Sequence, residues 1–317
     1  MTKSEFYNII NKDNINVSIP QNSHFTVGTS PYYAHQHGLA IDIYHDLSLK
    51  NYDVLSPISG KVIKTKTLIA PKPKFFEGIK EDYLILISNS HNPETVFKTM
   101  HVKPGVQVGQ KVEIGDVLGK TIRNGYFAYW SSPHLHLEIR PITDAIRARG
   151  GKNFSLAIKN NHKIADNKNN FHMEKIPVII KAVYPEFMLV NFPAKLYYKI
   201  DPIFGVKGKI HNLDCIVDGG IPIYKNGIVL FQNDSDSKTP SEIYLNDHRI
   251  GTLGGFRGKF GFIKFDHVRF ALNNKQIRGI SLFLANFVPL IKIIPFNKNE
   301  YSFKLNSTQY LTIIRNS

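Results

Sequence analysis

Between Phe25 and Ile139 the chain alternates short apolar runs with Gly, Pro and Asn. Gly38-Leu39-Ala40-Ile41-Asp42-Ile43, Gly60-Lys61-Val62-Ile63 and Tyr83-Leu84-Ile85-Leu86-Ile87 have strand length, and the residues between them favour turns. Residues 1–15 predict a short helix or arm. Thr143 to Lys159 predicts a helix broken at Gly150-Gly151. Asn160 to Asn170, polar and rich in Asn and Lys, predicts a linker. From Ile176 onward a second set of strand-length runs begins. It includes Val178-Ile179-Ile180, Leu196-Tyr197-Tyr198, Ile228-Val229-Leu230-Phe231, Phe260-Gly261-Phe262-Ile263 and Tyr310-Leu311-Thr312-Ile313-Ile314. Asp218-Gly219-Gly220, Lys225-Asn226-Gly227 and Leu253-Gly254-Gly255 supply turns between them. This spacing suits an all-β sandwich or barrel. No solenoid-type repeat is visible. The expectation is a mainly β protein: a β domain over residues 1–142, a helix and polar linker over 143–175, and an all-β domain over 176–317.

Composition agrees with two soluble domains. The chain has 317 residues, 42% hydrophobic and 21% charged, enough to build two cores. The lone cysteine, Cys215, excludes an internal disulfide and a thiolate zinc cluster. Its apolar neighbours predict a small buried side chain. The N-terminus has no basic segment followed by an apolar one, so the expected compartment is the cytoplasm, with unconventional export as the alternative. Ile280 to Phe296 is shorter than a membrane span and is interrupted by Lys292, which predicts two buried strands and no transmembrane segment. The net charge is +15 and uneven. Residues 1–150 hold 17 basic and 13 acidic groups, and residues 151–317 hold 23 and 12. A basic C-terminal domain suits contact with a polyanion or a protein; the plain alternative is solubility, since no compact basic run stands out.

The chemistry concentrates in the first domain. In Ser131-Ser132-Pro133-His134-Leu135-His136-Leu137-Glu138, two histidines two residues apart leave one face of a strand together. Upstream lie His35-Gln36-His37-Gly38-Leu39-Ala40-Ile41-Asp42 and Met100-His101. These groups offer His, Asp and His as zinc ligands, with further imidazoles for proton transfer. A catalytic zinc site needs three protein ligands and one open position. The metal acidifies water and polarises a carbonyl, and neutral imidazoles move the proton.

Asp42, His101 and His134-Leu135-His136 stand in the order seen in lysostaphin/LytM-type zinc metallopeptidases, and the first domain resembles that family over roughly residues 25–141. The intervening segments are similar too: Tyr52-Asp53-Val54-Leu55-Ser56-Pro57-Ile58-Ser59-Gly60-Lys61-Val62, and the glycine-punctuated stretch from His101 to Gly119. The resemblance implies the duplicated hybrid motif fold, an antiparallel β-sheet or sandwich. It implies Zn2+ as cofactor and a peptide as substrate. It implies Asp42 and His136 as metal ligands, and His101 and His134 as catalytic imidazoles. The family places a His four residues before the Asp, and here that position is Gly38. His37, five before, is the expected first ligand, with His35, seven before, as the alternative. Either would sit on the opposite face of a regular strand from Asp42, so a bulge or turn at Gly38 is required.

Other positions carry less. His24, His45 and His91 are expected at the surface. Tyr32, Tyr33 and Trp130 are candidates for a groove wall or for ordinary packing. The basic, Pro-rich insert Thr67 to Asp82 suits a rim loop or a solvated hairpin tip. The second domain shows no catalytic set. The expected function is zinc-dependent hydrolysis of peptide or amide bonds. The alternatives are a non-catalytic binding protein, or a phosphocarrier-like domain on the same architecture.

Overall fold

The computed structural model describes residues 5–159, 173–211, 213–234 and 240–314. The protein is nearly all β and divides into two compact units. The first comprises the chain up to Phe25 and His37–Ala157; the second comprises Thr26–Gln36 and the chain from Ile158 onward.

The first unit opens with a hairpin, β1 (Phe6–Lys12) and β2 (Ile15–Pro20). The helix or arm expected over residues 1–15 is corrected by this hairpin. Asp13 and Asn14 take φ of 55° and 60°, the left-handed pair that a two-residue hairpin turn requires. Ile15, Val17 and Ile19 alternate inward with period two and are buried.

β3 (His24–Thr26), the single helical turn α1 (Tyr33–Gln36), β4 (Ala40–Tyr44), β5 (Asp53–Leu55) and β6 (Gly60–Ile69) follow. Then come β7 (Glu81–Ser88), β8 (Thr95–Met100), β9 (Val102–Pro104), β10 (Lys111–Val112), β11 (Val117–Thr121) and β12 (Leu135–Pro141). Seven of these form one antiparallel sheet in the order β10-β6-β7-β8-β12-β4-β3, and β5-β11-β9 form a smaller one. β12 lies between β8 and β4 and is buried on both faces, as is β4. Residues buried on both faces of a central strand must be apolar or fully paired. β12 is both: Leu135, Leu137 and Ile139 alternate with His136, Glu138 and Arg140.

The helix expected over Thr143 to Lys159 does not form. Only a single 3-10 turn, Ile142–Asp144, is present, and no regular element follows it up to Lys159. Buried Arg140 donates from Nε to the Asp144 carbonyl and from Nη2 to the Arg149 carbonyl, at 2.9 and 3.1 Å. Gly150 and Gly151 turn the chain at φ of 98° and 136°. A helix would need those carbonyls for its own ladder and could not hold those two φ values. The expected linker Asn160–Asn170 lies outside the described residues.

The second unit contains two sheets. Ile203–Ile210, Leu213–Asp218, Asn226–Leu230, Phe260–Phe265, His248–Arg257 and Ser241–Leu245 neighbour one another in that order. The pairing of Lys209 with Tyr244 joins the first of these to the last and closes a barrel. An eight-stranded sheet includes Ile176–Val183 at its middle and Gly279–Ser281 and Ile291–Ile294 towards one edge. The last two are the buried strands expected within Ile280–Phe296. Val178, Val190, Cys215, Val217, Val229, Ile263, Phe270, Ile291 and Ile313 share one apolar core. Asp218-Gly219-Gly220 is not a hairpin turn. Asp218 ends a barrel strand, and Gly220–Ile221 pairs in the other sheet. A Cβ on Gly219 would fall 2.8 Å from the Phe265 ring, so glycine permits this crossing. Among the described residues no helix is long and apolar enough to cross a membrane.

Candidate metal centre

The register of β12 sets the site. His136 stands directly opposite Asp42 on β4 and opposite Met100 at the end of β8. Glu138 stands opposite Lys98 on β8. Period-two alternation puts His136, Glu138 and Arg140 on one face of β12. All three are buried, with Asp42, Lys98 and His134. The polar groups answer one another along this face. His136 Nδ1 lies 2.9 Å from Asp42 Oδ1, and His136 Nε2 lies 3.1 Å from Glu138 Oε1. Lys98 Nζ donates to Glu138 Oε1 at 2.8 Å, and Arg140 donates to Glu138 Oε2 at 3.2 Å. Burial alone would lower the His136 pKa, but the Asp42 and Glu138 carboxylates outweigh it and raise it to about 9. A metal at His136 Nδ1 would replace a proton there, with Nε2–H still held by Glu138. That is the carboxylate-backed histidine common at metal sites.

The third member of the candidate cluster is His35. Ligand atoms of His35, Asp42 and His136 all lie within 4.8 Å of one another, and all three residues are buried. His35 lies in the helical turn α1, and its Nδ1 lies 2.8 Å from the Val27 carbonyl. A carbonyl only accepts, so Nδ1 carries the hydrogen and Nε2 is the lone-pair nitrogen. Two imidazoles and one carboxylate make a donor set that suits zinc. His37 is not in this cluster. The two-face argument for His35 and His37 assumed a strand. Tyr33–Gln36 is helical instead, and Gly38, at φ 59°, turns the chain into β4.

Two further imidazoles stand beside the cluster. His134 Nδ1–H donates to the Ser132 carbonyl at 2.9 Å, and its Nε2 lies 3.4 Å from Asp42 Oδ2. Burial, only partly offset by Asp42, lowers the His134 pKa to about 4 and keeps the ring neutral. The His101 ring centroid is 5.4 Å from that of His134 and 5.8 Å from that of His136. His101 sits between β8 and β9 at φ 67°, in the left-handed region that few side-chain-bearing residues adopt. Asp82, fully buried at the start of β7, holds it there. One carboxylate oxygen accepts the His101 backbone N–H at 3.1 Å and the other meets the ring Nδ1 at 2.9 Å. Burial raises the Asp82 pKa, but the His101 charge and these hydrogen bonds bring it below the usual carboxylate value.

The structure thus brings together His35, Asp42, His101, His134 and His136. Sequence reading missed the groups that orient them: Asp82, Glu138, Lys98 and the Val27 carbonyl. Glu138 continues the alternation of His134 and His136, a legible signal. Asp82 lies 19 residues from His101 with no motif to join them. Among the described residues, rings beside the site include Phe127, 4.9 Å from both His101 and His134, Tyr44, 4.8 Å from His134, and Tyr126, 6.3 Å from His101. Of the expected wall residues, Trp130 packs edge-on to Tyr129, and Tyr32 and Tyr33 are exposed. His24 is buried within β3 and His45 is half-buried, against the surface expected of them, while His91 is exposed. Burial holds the pKa of both His24 and His45 at about 4. The Pro-rich insert docks on the segment preceding Phe127: Arg123 lies 4.2 Å over the Phe76 ring, and a Cβ on Gly125 would strike the Pro71 carbonyl.

None of the curated proteins matches the chain. The NMR solution structure of lysostaphin is similar over 88% of this chain and 96% of its own, at 13% identity and a TM-score of 0.26. Residues 15–156 match the N-terminal domain of the domain of unknown function DUF8155, and residues 201–306 match the C-terminal domain of the same family. The two matches stand in order along the chain, so it is similar to the N-terminal and C-terminal domains of DUF8155 in turn.

Proposed function

We propose that this protein is a zinc-dependent hydrolase of peptide or amide bonds, similar in its chemistry to the lysostaphin/LytM-type metallopeptidases. One observation carries the reading. A buried His-Asp-His donor set, His35, Asp42 and His136, lies beside two imidazoles that are each oriented through Nδ1. A structural site would have no use for that second pair.

His35 Nε2, an Asp42 oxygen and His136 Nδ1 would hold the ion. When bound, zinc supplies a Lewis acid that acidifies water and polarises the substrate carbonyl. His134, kept neutral by burial and with Nδ1–H pinned to Ser132, presents Nε2 as the proton acceptor. It takes one proton from the attacking water as the carbon–oxygen bond forms. It returns that proton to the amine nitrogen as the carbon–nitrogen bond breaks, so no net proton is consumed by the protein. His101 presents Nε2 with its Nδ1–H held by Asp82. Protonated at both nitrogens, with the Asp82 carboxylate balancing the charge, it would donate from Nε2 to the developing oxyanion. Phe127 and Tyr44 shield both rings from water, which strengthens these interactions.

The test is hydrolysis of a panel of Gly- and Ala-containing peptides by the zinc-loaded full chain, followed by mass spectrometry. Cleavage that falls about 100-fold or more in His134→Ala with zinc content unchanged is the expected result. Equal cleavage by that variant would refute the assignment. Zinc retention with no cleavage of any peptide or amide would favour a non-catalytic metal-binding protein.

A further inference from the structure

Asp218 has no part in the chemistry above, yet it is completely buried. It ends a barrel strand of the second unit, and the short segment Thr26–Gln36 belongs to that same unit. The Asp218 carboxylate is surrounded by donors from the start of that segment. One oxygen accepts the backbone N–H groups of Val27 and Gly28, at 2.6 and 2.9 Å. The other accepts the Thr26 hydroxyl and lies 3.3 Å from the Thr29 hydroxyl. The Thr26 oxygen in turn accepts the Thr29 backbone N–H at 3.1 Å, which closes the turn.

Gly28 shows how closely this turn is seated. A Cβ there would fall 2.6 Å from the Asp218 carbonyl oxygen and 2.7 Å from the Ile228 nitrogen. Both are backbone atoms that cannot step aside, so the turn lies directly on the strands carrying Asp218 and Ile228. Val27, whose N–H is held by Asp218, offers its carbonyl to His35 Nδ1 at 2.8 Å. One residue therefore links the carboxylate to the imidazole: N–H toward Asp218, C=O toward His35.

We propose that Asp218 is a positioning residue for His35. It fixes the 26–29 turn so that the Val27 carbonyl selects the Nδ1–H form of His35 and leaves Nε2 as its ligand nitrogen. This role rests on the metal reading for its consequence but not for its geometry. A charge buried this deeply is costly unless well paired, and four donors from a single turn provide that pairing. A residue of the C-terminal part of the sequence thereby orients the earliest donor of the site.

The test uses the full chain with uniformly 15N-labelled histidine. Long-range 1H–15N correlation reads the tautomer of His35 without metal, and zinc titration against a competing chelator reads affinity. Asp218→Ala is predicted to move His35 from the Nδ1–H form to a mixture of forms and to weaken zinc binding by about 10–100-fold. The cobalt-substituted variant should show altered visible bands, a change that loss of global stability alone does not produce. Thr26→Val, which removes one donor and keeps the carboxylate, should give a smaller shift in the same direction. It carries the test if Asp218→Ala does not fold. An unchanged His35 tautomer and unchanged zinc affinity in a folded variant would overturn the inference. Failure of the wild type to bind zinc, with the tautomer still responding to Asp218, would overturn the metal reading and leave the positioning role standing.

Discussion

Replacing Lys98 with methionine tests the buried polar ladder on β12. Lys98 Nζ lies 2.8 Å from Glu138 Oε1, and both side chains are 4% exposed. The same carboxylate accepts from Arg140 and meets His136 Nε2. At a separation near 4 Å between charge centres, an ion pair in a partly screened interior is worth roughly 4 kcal/mol. Removing one member of a buried pair leaves its partner's desolvation uncompensated, which costs about 3–5 kcal/mol. Arg140 and His136 still face Glu138, so the lower end, about 3 kcal/mol, is expected. For a unit of this size that lowers the midpoint of thermal unfolding by about 10 °C. The assay is calorimetry or circular dichroism on wild type, Lys98→Met, Glu138→Leu and the double variant. The double variant should be less destabilised than the sum of the single ones by about 1–3 kcal/mol. A midpoint change under about 2 °C for Lys98→Met, or simple additivity, would refute the ladder as a coupled unit.

Asp82→Asn should leave His101 without its orienting carboxylate and slow peptide cleavage by about 100-fold or more, while zinc stays bound; an unchanged rate would contradict the role given to His101. Burial raises the Asp218 pKa to about 6, against the hydrogen bonds from Thr26, Val27 and Gly28 that lower it. A carboxyl whose pKa is raised on folding favours the fold fully below its unfolded value near 4 and loses that contribution as pH rises through about 6. Unfolding measured from about pH 4 to 7 should therefore show wild type losing up to about 3 kcal/mol relative to Asp218→Asn, and a pH-independent difference would contradict this. Cys215, completely buried and with its thiol pushed up mainly by burial, should resist alkylation in the folded protein and react after denaturation; rapid labelling of the native chain would place it at the surface.

Period-two patterning revealed the strands well, because β4, β7 and β12 announce themselves as apolar runs between turn formers. Alternation put His134 and His136 on one strand face; Asp42 came from the resemblance to the lysostaphin/LytM-type family, and the structure stands it opposite His136. What the sequence hid lies in features of longer range. His35 was the alternative to His37 because strand alternation says nothing about a four-residue helical turn, and Tyr33–Gln36 is one. Asp82 supports His101 across a pairing of β7 with β8 that no local motif encodes. Residues 143–159 had helical composition, but Arg140 drew their carbonyls into its own shell. The Asp218-Gly219-Gly220 turn signal was genuine as a break, yet the chain uses it to change sheets. In each case tertiary contacts overrode a local preference that was weak to begin with.

The central claim is that His35, Asp42 and His136 hold a metal ion. Zinc content of the purified full chain, measured by mass spectrometry after dialysis, tests it directly. About one zinc per chain is expected in the wild type and in His37→Ala. His35→Ala, Asp42→Ala and His136→Ala should each lose it while remaining folded. A wild type without zinc, or a His35→Ala that keeps its zinc while His37→Ala loses it, would contradict the account.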